Sequence, residues 1–159
     1  MNQTKEFSPT KDKTIDGLEV GESTEFSKTI SEFDIYLFAG VTGDMNPAHI
    51  NEPYARTTFF KTRIAHGLLP AGFISNVIAM KLPGPRTIYL RQELNFRAPV
   101  RIGDTIMARV EVLEIMKEKK HVRLKTTCTN QDGVVVLEGE AVVSPPRRRK
   151  AIGTPPSPE

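Results

Sequence analysis

Cysteine and tryptophan are the first absences: the 159 residues hold one Cys, Cys128, and no Trp. A lone thiol closes no internal disulfide and cannot build a cysteine-ligated structural zinc site. Cys128 falls in the alternating run Val122, Leu124, Thr126, Cys128, which predicts a buried strand position in place of a reactive thiol. Three histidines, His49, His66 and His121, are too few for a histidine-rich metal centre, and no metal is expected. No apolar stretch approaches the roughly 20 residues needed to span a bilayer. Residues 1–14 are polar, with Lys5, Glu6, Lys11 and Asp12 where a signal peptide has an apolar core. The expectation is a soluble, cytoplasmic protein without a membrane partner.

A strong charge of one sign is missing as well. The net charge of +3 disappears once Arg147, Arg148, Arg149, Lys150 and Glu159 are set aside, because basic and acidic residues then balance. The basic excess therefore belongs to a Pro-rich end, read as a solvated, flexible tail and not as a nucleic-acid surface. With 38% hydrophobic and 26% charged residues, a chain of this length suits one globular domain.

Residues 1–20 read as a loosely ordered lead-in punctuated by Pro9 and Gly17. A strand is predicted over residues 23–29. Ser31 suits a helix N-cap, with Glu32 and Asp34 in a first turn where the dipole favours negative charge. Phe33, Tyr36, Leu37 and Val41 recur at helical spacing, and Gly43 terminates the helix. Asn46-Pro47 starts a new helical turn, Asn as cap and Pro at the first position. A short helical stretch follows over residues 53–60, with Phe59 and Phe60 expected to pack inward. Residues 64–80 are apolar almost all round, as in a buried helix. Pro70 requires that helix to begin near His66 or Gly67. Beyond Pro83-Gly84-Pro85 the period changes to two, giving four strands over residues 86–97, 104–115, 121–129 and 134–144, the last three as an antiparallel meander. The fold class is α+β: an antiparallel sheet wrapped around one long central helix.

Within this frame, Thr42-Gly43-Asp44-Met45-Asn46-Pro47-Ala48-His49 places a carboxylate and an imidazole five positions apart on a turn stiffened by Gly43, Asn46 and Pro47. Two proton-exchanging groups on one loop suit acid–base work on a bound water. Gly43-Asp44-x-Asn46-Pro47-x-His49 resembles the signature of the MaoC-like, R-specific enoyl-CoA hydratases of the hot-dog superfamily. His66-Gly67-Leu68-Leu69 with Ala71 is similar to the start of their central helix. Residues 90–100 with Gly103-Asp104 are similar to the strand and turn after it. The resemblance covers about residues 23–144 and sets the divisions as lead-in 1–20, hot-dog domain 21–144 and tail 145–159. Ala48 and the early Pro70 depart from the family pattern, which bears on substrate preference and leaves the reacting groups intact.

The resemblance implies reversible, R-specific hydration of trans-2-enoyl-CoA to (R)-3-hydroxyacyl-CoA by a hydro-lyase that needs no cofactor, since no oxidation state changes. It implies Asp44 and His49 as the catalytic pair gripping one water. The backbone N–H of Gly67 would serve the thioester oxygen, because an N–H at a helix start lacks an intrahelical partner. Ser75 would support Asp44 by hydrogen bonding, Asn46 would hold the loop, and His66 would be a helix-start residue. Arg86, Arg91, Arg97 and Arg101 are eligible partners for the phosphates of CoA. A homodimer with its sites at or near the interface is also implied. Three rivals remain: a 3-hydroxyacyl dehydratase acting on acyl carrier protein, a hot-dog thioesterase, and a non-catalytic acyl-CoA-binding subunit.

Overall fold

The computed structural model describes residues 13–147. Its strands are β1 (Ser23–Thr29), β2 (Ile88–Phe96), β3 (Thr105–Met116), β4 (His121–Thr129) and β5 (Val135–Ser144). They form one antiparallel sheet in the order β1-β3-β4-β5-β2, leaving β1 and β2 as edges. The meander β3-β4-β5 is the one expected from the period-two pattern; the alternation is strict in β4 and the first eight residues of β3, and it breaks in β5, where the neighbours Val136 and Leu137 are both buried. Ile106, Ala108, Val110 and Val112 of β3 are buried, as are Val122, Leu124, Thr126 and Cys128 of β4. Thr126, the buried hydroxyl of that set, accepts a hydrogen bond from Gln92 Nε2 at 3.1 Å, so no polar group is stranded there. Cys128 has the predicted strand position, and burial pushes its thiol up to about 12.

Helix α4 (Leu68–Met80) crosses the concave face of the sheet. It starts just after Gly67, so Pro70 falls in the first turn, where its missing N–H breaks no intrahelical bond. Leu69, Pro70, Ile74, Val77 and Ile78 face the sheet and are buried. The opposite stripe of Leu68, Gly72, Ser75 and Ala79 is exposed, which corrects the expectation of a helix buried all round. One sheet covers one side of a helix, and among the described residues this other stripe stays exposed.

Helix α1 (Glu32–Thr42) is capped as expected: Ser31 and Asp34 form a reciprocal capping box, and Gly43 ends the helix at φ 77°. Its core-facing residues are Ile35 and Ala39. The helically spaced Phe33, Tyr36, Leu37 and Val41 lie on the outer side instead, Val41 with 78% exposure. Two short helices follow, α2 (Pro47–Ile50) and α3 (Glu52–Thr57), capped by the side chains of Asn46 and Asn51. Phe59 is 90% exposed, against the inward packing expected of it, whereas Phe60 is half-buried.

At the ends the structure redraws two boundaries. Leu18 is buried in the core, and the Lys13 N–H donates to the Pro83 carbonyl at 2.8 Å, so residues 13–20 are fastened and not loose. Pro145 and Pro146 are buried, so the ordered domain runs past residue 144. Residues 1–12 of the lead-in and 148–159 of the tail lie outside the described residues. One further constraint ties β2 to its neighbour. A Cβ at Gly139 of β5 would sit 1.9 Å from the Glu93 carbonyl oxygen and 3.2 Å from Leu94 Cα, so only glycine fits.

Ile74 is 1% exposed against the sheet. Ile74→Ala is expected to cost about 2–5 kcal/mol, the usual range for truncating a buried isoleucine, read as a lowered midpoint in urea unfolding with an unchanged slope.

Candidate active site

The residues between α1 and α4 form a long excursion that belongs to no strand. It is fastened to the sheet at its far end, where Ile64 bridges to Arg101 and the Ala65 N–H donates to the Val100 carbonyl at 2.8 Å. Arg63 reinforces that end. Its guanidinium pairs with Glu32 of α1, its Nε lies 3.5 Å from Glu52, and its backbone N–H donates to Glu52 at 3.1 Å.

Asp44 stands exposed just after the Gly43 turn, its Oδ1 accepting the Asn46 N–H at 3.2 Å. The Asn46 side chain accepts the Ala48 N–H at 3.0 Å, which starts the α2 turn carrying His49. His49 is nearly buried. Its Nδ1 lies 2.8 Å from the Ile64 carbonyl. A carbonyl only accepts, so in the neutral ring Nδ1 carries the proton and Nε2 keeps its lone pair. A ligand-type nitrogen of His49 and a carboxylate oxygen of Asp44 lie within 4.8 Å of each other, a span that one water can bridge.

His66 completes the cluster. It is 2% exposed, its ring lies 4.0 Å from that of His49 and 4.9 Å from that of Phe38, and its Nε2 is 3.0 Å from the Asp44 carbonyl oxygen. Asp44, His49 and His66 bring three potential donors within 4.8 Å, but the stacking suits a metal ion poorly. Two imidazoles sharing one tetrahedral ion point their ring planes at it and keep their centroids more than about 5 Å apart.

A cavity of about 310 Å³ opens beside this cluster, lined by His49, His66, Gly67, Phe60, Ile64, Pro70, Phe96, Arg97, Val100 and Val136 among others. Its wall is mainly apolar, and its polar side chains are those of His49, His66 and Arg97. Gly67 stands at the N-cap of α4 in this wall. A Cβ there would meet the Phe96 ring at 3.1 Å, so the glycine leaves room between helix start and ring. Ser75 is exposed, two turns farther along α4 and outside the cavity wall. Of the four arginines, Arg97 lines the cavity and Arg101 reaches the Phe60 carbonyl at 3.4 Å, whereas Arg91 pairs with Glu93 at 2.6 Å on the exposed face of β2. His49, His66 and Gly67 thus line one cavity, a carboxylate oxygen of Asp44 lies within 4.8 Å of a nitrogen of each histidine, and Asn46 is outside the lining, holding the Ala48 N–H on the loop between them. The carbonyl of Ile64 and the ring of Phe96 were missed in the sequence, the first because a backbone acceptor has no side-chain signature.

Residues 17–134 match the family model of the MaoC like domain. The chain belongs to the MaoC-like family. Over 134 residues it is 59% identical to an (R)-specific enoyl-CoA hydratase of Rhodospirillum rubrum, covering 84% of this chain and 92% of the relative. It is 50% identical over 137 residues to a 3-hydroxybutyryl-CoA dehydratase of Methylorubrum extorquens, covering 86% and 87%. Among solved structures, the unliganded R-hydratase PhaJ1 from Pseudomonas aeruginosa superposes with a TM-score of 0.81 at 44% identity, covering 92% of this chain and 96% of that one. The sheet wrapped around α4 is the MaoC-like hot-dog fold.

The Arg63 hub makes an acid-sensitive joint. The hydrogen bond from the Arg63 side chain holds Glu32 below the ordinary carboxylate value, and the one from the Arg63 backbone does the same for Glu52. A carboxylate depressed in the folded state adds stability above its unfolded value of 4.5 and loses it as the pH falls through the folded value. The melting temperature is therefore expected to fall below pH 4.5, and Arg63→Met is expected to lower it at pH 7 and flatten its acid limb in a thermal-melt series.

Proposed function

We infer that this chain catalyses the reversible hydration of trans-2-enoyl-CoA to (R)-3-hydroxyacyl-CoA. The observation that carries the reading is the pairing of Asp44 with His49 at the histidine end of an apolar cavity. The MaoC-like relatives named for this hydration and for the reverse dehydration support it.

One water between the two groups donates a hydrogen to the Asp44 carboxylate and a hydrogen to His49 Nε2, leaving its oxygen lone pairs toward substrate C3. The Ile64 carbonyl keeps the His49 proton on Nδ1, so Nε2 accepts as the C–O bond forms. Charge then grows on the thioester oxygen, which takes the Gly67 N–H at the start of α4. A preorganised donor of that kind typically contributes about 10²–10³ in rate. The Asp44–His49 pair returns a proton to C2. The enoyl chain lies along the apolar wall, and Arg97, which lines the cavity and pairs with Glu138 at 2.7 Å, is the arginine proposed to meet CoA phosphates. Asn46 holds the loop between the two reacting groups. Ser75 is exposed and outside the cavity wall, and it does not enter this scheme.

Asp44→Asn and His49→Gln are each expected to reduce kcat for crotonyl-CoA by at least about a hundredfold, the scale of a lost acid–base group, with unchanged circular dichroism. Near-normal turnover in either folded variant overturns the assignment. Running the wild-type assay on carrier-protein thioesters as well as CoA thioesters separates this reading from its carrier-protein rival.

The unit that acts is proposed to be a homodimer. Edge strand β2 exposes Ile88, Leu90 and Phe96, and α4 exposes Leu68 and Met80. An apolar strand edge in water is a liability unless covered. Two copies joined along β2 would bury that edge, and the outer residues of α4 would come with it. Light scattering is expected to give twice the 17.7 kDa chain mass. A monomer at assay concentration refutes the dimer.

A further inference from the structure

We propose that His66 is a positioning residue, which holds the acid–base loop to the start of α4 through an Nε2–H hydrogen bond to the Asp44 carbonyl. This rests on the hydratase reading of Asp44, His49 and Gly67. Three observations meet on the one ring. Its Nε2 is 3.0 Å from the backbone oxygen of Asp44, 22 positions earlier in the chain. Its ring centroid lies 4.0 Å from that of His49, the two planes tilted by 34°. Its own backbone runs directly into Gly67, the donor assigned to the thioester oxygen. His66 therefore touches both members of the water-activating pair and adjoins the third working group.

The protonation pattern follows from the partner. The Asp44 carbonyl can only accept, so the neutral ring carries its hydrogen on Nε2 and Nδ1 is left as an acceptor. That Nδ1 is buried and meets no donor among the described residues. A ring present only to fill space between Phe38 and His49 would do so better as phenylalanine, which strands no buried acceptor. An imidazole kept there in spite of Nδ1 points to the work done by Nε2–H. The work is distance keeping. Asp44 is on an exposed loop, and without the tie its carbonyl, and with it the carboxylate, is free to shift relative to His49 and Gly67. Displacements of about 1 Å at reacting groups can cost on the order of a hundredfold in rate.

Two variants and one measurement on the unaltered protein test this. His66→Phe keeps the stacked ring and removes the donor; kcat for crotonyl-CoA is expected to fall on the order of a hundredfold with KM little changed. His66→Gln places an amide N–H near the former Nε2 and is expected to recover most of wild-type kcat. Equal kcat in the two folded variants, whether both high or both low, overturns the proposal. Should His66→Phe fail to fold, ¹⁵N imidazole spectra of the wild-type protein decide. The three histidines are assigned by His49 and His121 substitution and recorded with the rings neutral. The Nε2–H tautomer for His66 sustains the proposal and the Nδ1–H tautomer overturns it. A wild-type protein without hydratase activity would instead remove the functional reading, and the tautomer would still report on the Asp44 contact.

Discussion

A loop that contributes no strand has to hold two reacting groups still relative to a helix, and the backbone of Ile64 is where that constraint is met. Its carbonyl accepts from His49 Nδ1, its N–H donates to the Ala48 carbonyl at 3.3 Å, and its strand-like bridge to Arg101 joins the loop to the sheet. Through the backbone of this one residue the orientation of the imidazole, the end of α2 and the position of the excursion are set together. A backbone carbonyl suits the purpose. It cannot donate, so it leaves one tautomer of His49, and it moves only if the chain moves.

The loop's other partners are electrostatic and lie on the outside, which divides its fastening into two kinds. Near the sheet the bonds are short, backbone-mediated and partly buried. Toward α1 and α3 they run through the Arg63 guanidinium to exposed Glu32 and half-buried Glu52, where water and salt weaken ion pairs. The first kind keeps the geometry of the cavity wall, and the second gathers the helices around it. The apolar surplus on α1, α4 and β2 stays exposed among the described residues.

Most of this frame was legible in the sequence. The strands over residues 23–29 and 121–129 coincide with those observed, because a half-buried strand must alternate and its turns carry Gly, Asp and Asn. Asp44 and His49 were legible because their spacing is local and the turn between them is spelled by Asn46 and Pro47. The failures share a cause. A helical stripe such as Phe33, Tyr36, Leu37 and Val41 announces that something covers it, but not whether that is the chain's own core. The buried face of α1 rests on Ile35 and small Ala39, which make a weaker pattern. Phe59 misled in the same way. The link from His66 to Asp44 spans 22 positions and ends on a backbone oxygen, so no spacing rule reaches it.

Gly139 shows how far from the cavity its shape is decided. The residue lies on β5, pairs with Leu94 and gives β2 room to approach where any side chain would strike the Glu93 backbone. Backbone cannot rotate aside as a side chain can, so a larger residue there would lever the edge strand outward. Two residues beyond Leu94 on that strand is Phe96, whose ring stands over Gly67. The position of one wall of the cavity thus hangs on a hydrogen atom of the neighbouring strand, at a residue that does not itself line the cavity.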